Sequence, residues 1–235
     1  MGRYFRHMDN HERITRRRSL LQLGGFLLAA TLGKAAAGAE AGTGPAAVAT
    51  GVVSCVLTPE MTEGPYYVPN EKVRRNITEG RAGTPLTLRL AVLDASTCRP
   101  IKGASVDIWH ADAGGVYSGV QQQVGKTFMR GIQKTNAAGL AIFQTVYPGW
   151  YMGRAVHIHV KVHLGGNVVH TGQLFFNDTL TDAVYKKAPY NKRASRDTRN
   201  ANDSIFRNGG SRSLLGVRKH GTGYVGAISM GVHRS

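Results

Sequence analysis

From Arg154 to Leu164 the chain alternates. Val156, Ile158, Val160, Val162 and Leu164 fall on one side, and His157, His159, Lys161 and His163 on the other. Successive side chains of an extended strand point to opposite faces. The pattern therefore predicts a strand with an apolar face toward a core and a histidine face toward a pocket or solvent. Leu86, Leu88, Leu90 and Val92 alternate with Thr87, Arg89 and Ala91, which predicts a second, half-buried strand. Further strands are expected over Val106–Trp109, Leu140–Gln144, Val168–Phe176 and Tyr224–Val232. Asp112-Ala113-Gly114-Gly115, Asn136-Ala137-Ala138-Gly139 and Pro148-Gly149 break the chain between them. Thr62–Pro69 is bounded by prolines that bias the backbone toward extended geometry. Residues 178–220 are polar and rich in Asn and Arg, and predict loop with short helical turns. Short strands with Gly/Pro turns at this spacing predict an all-β fold, a β-sandwich with long connecting loops.

Composition supports that class: the 235 residues include 30 glycines, a turn-rich content that favours strands over helices. The N-terminus has a different character. Thr15-Arg16-Arg17-Arg18-Ser19-Leu20-Leu21 is a twin-arginine pattern, followed by an apolar run from Leu20 to Leu32 and a small-x-small site at Ala37-Gly38-Ala39. The run is too short for a comfortable membrane span. Residues 1–39 thus read as a twin-arginine signal peptide, residues 40–54 as a flexible lead-in, and residues 55–235 as one domain. The expected destination is the bacterial periplasm or the medium, with no stable membrane anchor once the signal is cleaved. The route carries folded proteins, which suits a protein that takes up a metal before it leaves the cytoplasm. The net charge is +16, but the basic residues are scattered apart from Lys186, Lys187, Lys192, Arg193, Arg196 and Arg199, and no nucleic-acid motif accompanies them. The two cysteines, Cys55 and Cys98, sit in no Cys-x-x-Cys motif. In an oxidising compartment one disulfide between them is the economical reading, and two buried thiols the alternative.

His157 and His159, two apart on a strand, put both imidazoles on one face, where they can converge on one metal. Tyr117 follows Gly114-Gly115-Val116 on a loop, and Tyr151 lies in Pro148-Gly149-Trp150-Tyr151-Met152-Gly153-Arg154. A phenolate suits a hard, highly charged cation, which would draw the proton off a phenol whose pKa is ordinarily about 10. Two phenolates, two neutral imidazoles and one hydroxide balance the charge of Fe(III).

These segments resemble one family. Cys55-x-Leu57-Thr58-Pro59-Glu60, Thr62-Glu63-Gly64-Pro65-Tyr66-Tyr67, Val106–Asp112, Gly115-x-Tyr117-Ser118 and Pro148–His159 are similar, in this order, to the intradiol ring-cleavage dioxygenases, closest to the protocatechuate-type and exported members. The resemblance spans about residues 55–177. It implies Fe(III) held by Tyr117, Tyr151, His157 and His159, and a catechol-type substrate cleaved with O2 to a cis,cis-muconate-type diacid. It further implies that Arg154 stabilises developing charge, that Tyr151 takes a substrate proton, and that Gln173 is an active-site glutamine. Arg74, Arg75, Arg81 and Arg130 are candidates to meet a substrate carboxylate. Two other classes compete: a Zn(II) hydrolase built on His157 and His159, which lacks a His-Glu-x-x-His motif, and a non-catalytic β-sandwich module binding aromatics or polysaccharide. Neither the identity of the catechol nor the oligomeric state follows from the sequence.

Overall fold

A computed structural model describes residues 57–234. The expected signal peptide, the lead-in and Cys55 lie outside the described residues. Cys98 is disulfide-bonded.

The domain is a sandwich of two four-stranded sheets. One holds β1 (Pro85–Asp94), β4 (Leu140–Val146), β7 (Gly216–His220) and β8 (Gly223–Val232) in the order β4-β1-β8-β7. The other holds β2 (Ser105–Trp109), β3 (Arg130–Lys134), β5 (His157–Leu164) and β6 (Asn167–Phe175) in the order β3-β2-β5-β6. β1 runs parallel to β8, and the other pairings are antiparallel. Leu86, Leu88, Leu90 and Val92 of β1 meet Val106, Ile108, Ile158, Val160 and Val162 of the second sheet in one buried core. The alternation along β1 and β5 is therefore the imprint of the inter-sheet space.

The β5–β6 hairpin closes in two residues, Gly165 and Gly166, with φ of 57° and 91°. Two consecutive positive φ values are what a tight hairpin turn needs, and glycine adopts them without strain. Within the paired sheet His159 faces Gln173 of β6 and Trp109 of β2, with a shift of the β5–β6 register between Val162 and His163.

Two strands lack a signal in the hydrophobic pattern. β7 lies inside the segment expected to be loop. It is a mostly exposed edge strand whose order comes from pairing with β8. β3 carries Arg130-Gly131-Ile132-Gln133-Lys134, also without apolar alternation. The rest of residues 178–220 does form short helical turns, among them α1 (Asp178–Tyr185) and the single turn α2 (Ser204–Arg207). Asn177 caps α1 by accepting from the N–H groups of Thr179 and Leu180.

The histidine face of β5 does not look to solvent. His157, His159 and Lys161 are all buried. The chain ahead of β1 folds across this outer face. The Met61 N–H donates to the Thr171 carbonyl, Tyr67 packs on Trp109, and Lys161 pairs with Glu63 while its ammonium lies 3.6 Å from the centre of the Tyr67 ring. β5 is thus covered on both sides, by the sandwich core on one and by residues 58–71 on the other.

Candidate metal centre

His157 and His159 project from the start of β5. His157 donates its Nδ1–H to the Ala155 carbonyl at 2.7 Å, which leaves Nε2 as a bare lone pair. That Nε2 stands 3.1 Å from the Tyr151 hydroxyl and 3.1 Å from Nε2 of His159. His159 is clamped between rings and backbone. Trp109 stacks on it with centroids 4.8 Å apart and planes 6° off parallel. On another side the chain passes at Gly64, where a Cβ would lie 3.2 Å from His159 Cε1 and where φ is +73°.

Two loops deliver the tyrosines. Asp112, at the end of the β2 extension, accepts through Oδ1 from the N–H groups of Gly114 and Val116 at 2.9 and 3.0 Å. Its carbonyl accepts from Gly149 in the Tyr151 loop. One residue therefore folds the turn that presents Tyr117 and ties it to the loop that presents Tyr151. On the far side of Tyr117, Arg130, only 1% exposed, donates to the Ser118 carbonyl and stands 3.7 Å from Glu71. The Tyr117 and Tyr151 rings meet edge to face at 5.5 Å, and the Tyr117 hydroxyl is buried without a hydrogen-bond partner.

Burial sets the electrostatics. It lowers the His157 pKa to about 3, with the Arg154 charge adding to the effect, and it holds His159 well below the usual imidazole range. Burial also raises both phenols, although Arg154 pulls Tyr151 back. Four neutral donors thus converge, with His157, His159 and Tyr117 buried and Tyr151 half-buried at the edge of the cavity. Donor atoms held by one cation at ~2.1 Å and at right angles to one another stand ~3.0 Å apart. The 3.1 Å spacings and the orphaned Tyr117 hydroxyl fit residues that share a cation. Phenol oxygens suit a hard, highly charged one. Among the described residues, no group of three or more His, Cys, Asp and Glu is placed to hold a metal ion, so a zinc site would find neither a carboxylate nor a third imidazole here.

Arg154 and Gln173 come together beside this cluster. Arg154 donates through Nη2 to Gln173 Oε1 at 2.5 Å and through Nε to Asp203 Oδ2 at 2.9 Å, while Gln173 donates to the Thr62 carbonyl. Sequence reasoning missed Asp203. Its position before Ser204-Ile205-Phe206 could be read as a helix cap, but no sequence signal links it to a residue 49 positions earlier. It reads as a cap correctly, since Oδ1 accepts from Ile205 and Phe206 while Oδ2 also takes the Ala155 N–H. His110 is fully buried between Thr145 and the Ala111 carbonyl, and His170 pairs with Glu60, so neither joins the cluster. The arginines considered for a substrate carboxylate are placed elsewhere. Arg74 binds Glu79 and two carbonyls, Arg81 pairs with Asp112, Arg130 is buried on Ser118, and Arg75 is exposed beside β4.

Comparison with known proteins bears on the same residues. A family model described as Dioxygenase matches residues 62–205, which contain all four donors together with Arg154, Gln173 and Asp203. A chlorocatechol 1,2-dioxygenase of Pseudomonas sp. (strain P51) is 29% identical over 135 residues, 48% of this chain and 53% of that protein. The chain spans about half the length of the curated relatives it matches. Among solved structures, an intradiol ring-cleavage dioxygenase from Tetranychus urticae superposes with a TM-score of 0.73 at 37% identity, over 76% of this chain and 95% of that one. The dioxygenase domain of a dioxygenase carbohydrate-binding protein fusion from Streptomyces sp. SirexAA-E superposes with a TM-score of 0.60 at 32% identity, over 74% and 96%. With the sandwich, the match across the whole site region and near-complete coverage of these solved relatives in agreement, the chain belongs to the intradiol ring-cleavage dioxygenase family.

Proposed function

We propose that this protein is a non-haem Fe(III) dioxygenase that inserts both atoms of O2 into a catechol-type aromatic and opens the ring between its two hydroxylated carbons, giving a cis,cis-muconate-type diacid. The observation that carries the reading is the convergence of Tyr151, His157 and His159 at 3.1 Å spacings beside the unpartnered Tyr117 hydroxyl. These four residues would hold the iron. Bound ferric iron would supply a Lewis acid and a template on which a catechol becomes reactive toward O2.

The protein side chains do the rest. The Nδ1–H of His157, fixed on the Ala155 carbonyl, keeps the ring in one tautomer and one orientation. Trp109 and the backbone at Gly64 fix the orientation of the His159 ring by contact. Tyr151 is less buried than Tyr117 and faces the cavity, so as a phenolate it is the group placed to take a proton from an incoming catechol hydroxyl. The charge of Arg154 is felt at Tyr151, His157 and His159. Held by Asp203 and Gln173, the guanidinium is preorganised to stabilise negative charge developing on the substrate.

The test is a visible absorption spectrum of the purified protein with iron analysis, before and after anaerobic addition of catechol. A phenolate-to-iron band that shifts with catechol supports the reading. A protein that stays colourless after reconstitution with iron rejects the tyrosine ligands. Export by the twin-arginine route to the periplasm or medium is part of the same proposal, supported by the Arg16-Arg17 pattern and Ala37-Gly38-Ala39. N-terminal sequencing of the secreted protein checks it, and a retained Met1 would sink it. A Cys55–Cys98 bond, supported by Cys98 being disulfide-bonded in a chain with two cysteines, is checked by mass mapping without reduction.

A further inference from the structure

A cavity of about 390 Å³ opens in front of Tyr117 and Tyr151. Its other walls are Tyr66, Val116, Gln121, Gln122 and Met152, with backbone at Gly115. Two walls are apolar side chains left in solvent, Val116 at 40% and Met152 at 82% exposure. Tyr66 adds an aromatic face, its ring 4.6 Å from that of Tyr117. Among the described lining residues the two glutamines bring amides to the outer rim, and no lining side chain there is charged.

The chain as a whole carries a net charge of +16, so this neutral rim is a local departure. Arginines of the surrounding elements are turned to internal partners, and Lys126, exposed beyond Gln123, does not line the cavity. Arg154 is held by Asp203 and Gln173. Arg193 donates to the Trp150 carbonyl and lies over the Trp150 ring, 4.5 Å from its centre. Arg81 pairs with Asp112 and lies 3.7 Å from the centre of the Phe128 ring. Arg130 is buried on Ser118 and Glu71.

We propose that this cavity selects catechols whose ring substituents are uncharged and apolar, alkyl or aryl groups, over catechols that carry a carboxylate, and that Gln122 sits at the position that decides it. The inference rests on the ring-cleavage reading and narrows its substrate class. An apolar substituent gains contact with Tyr66, Val116 and Met152 as the catechol hydroxyls reach Tyr117 and Tyr151. A carboxylate on the same ring would leave water with no cationic side chain among the described lining residues to receive it, an unfavourable transfer.

The experiment uses the full iron-loaded protein and two probes, 4-methylcatechol and 3,4-dihydroxybenzoate. Anaerobic equilibrium binding and O2 uptake are both measured, for the wild type and for Gln122→Arg, an exposed change that touches no core residue. The wild type should bind and turn over 4-methylcatechol better by about tenfold or more, since the carboxylate goes unpaired. Gln122→Arg should shift the ratio of the two binding constants toward 3,4-dihydroxybenzoate roughly fivefold, the size of one partly exposed charge pair. Equal or tighter wild-type binding of the carboxylated catechol overturns the proposal, as does a ratio that Gln122→Arg leaves unchanged. Selective binding of 4-methylcatechol without O2 uptake sinks the ring-cleavage reading and leaves the selectivity standing. If neither probe binds, both readings fall.

Discussion

Asp203 offers the sharpest test of how the site is held. Its carboxylate is buried and accepts from four donors: Arg154 Nε, the Ala155 N–H, and the Ile205 and Phe206 N–H groups that open α2. Burial works against its ionisation, but the hydrogen bonds from Phe206, Ala155 and Arg154 outweigh it and hold the pKa below the ordinary 3.8. Asp203→Ala strands the guanidinium and the N–H donors together. Removing one partner of a buried ion pair costs ~3–5 kcal/mol. The Arg154 side chain keeps 19% exposure, so water recovers part of that. Taking the low end and adding ~1 kcal/mol for the lost helix cap gives about 3–4 kcal/mol. Asp203→Asn keeps the cap and one acceptor oxygen and loses the charge, which costs about 1–2 kcal/mol. Urea unfolding of the metal-free protein at pH 7 reads both. With a slope of ~2 kcal/mol/M, the alanine variant should unfold about 1.5–2 M earlier than the wild type. Because the folded pKa is depressed, the contribution of Asp203 is fully present above 3.8 and is lost as pH falls through the lower folded value, so the gap between wild type and Asp203→Asn should close in acid. An alanine variant within about 0.5 kcal/mol of wild type would mean that the four bonds carry no net stability, refuting the reasoning.

Three further outcomes are expected. Tyr151→Phe leaves three donors and should still bind iron, with a weakened visible band and slow catechol cleavage; wild-type turnover in stopped-flow assays would remove Tyr151 from proton transfer. Gly64→Ala places a methyl 3.2 Å from His159 Cε1 at a φ of +73°, which adds a left-handed backbone penalty of ~1–2 kcal/mol and pushes on the ring. Iron per chain after dialysis against a chelator should fall, and unchanged iron retention would show that the contact does not set the position of His159. The metal-free protein should lose stability as pH falls from 6.5, because unfolding lets His157 and His110 take up protons that their folded values of about 3 and about 4 refuse. The expected slope is on the order of 1 kcal/mol per pH unit for each histidine, and a urea midpoint that is flat between pH 7 and 5 would contradict it.

Through its resemblance to the intradiol ring-cleavage dioxygenases the sequence implied the four donor residues, and by itself it determined the β-sandwich class and the core strands. The reason is periodicity: β1 and β5 each pack one face against the opposite sheet, and a two-residue repeat records that packing directly. The glycines and prolines around Tyr117 and Tyr151 placed both on loops. Strands whose order comes from pairing left no such record. β7 is a polar edge strand held by β8, and β3 joins its sheet through β2. Only the tertiary structure decided what lies over the histidine face. A strand pattern says which side chains share a face, but not whether water or another segment covers it, and here residues 58–71 do. The pairing of Arg154 with Asp203 was equally illegible, because two charges 49 residues apart carry no mutual signal until α2 folds back beside β5. The arginines show the same limit from the other side. Arg74, Arg81 and Arg130 were available to a substrate on paper, and the fold turned each toward an internal acceptor, leaving a neutral rim on a strongly basic chain. Composition fixes how much charge a protein has, and packing fixes where that charge can act.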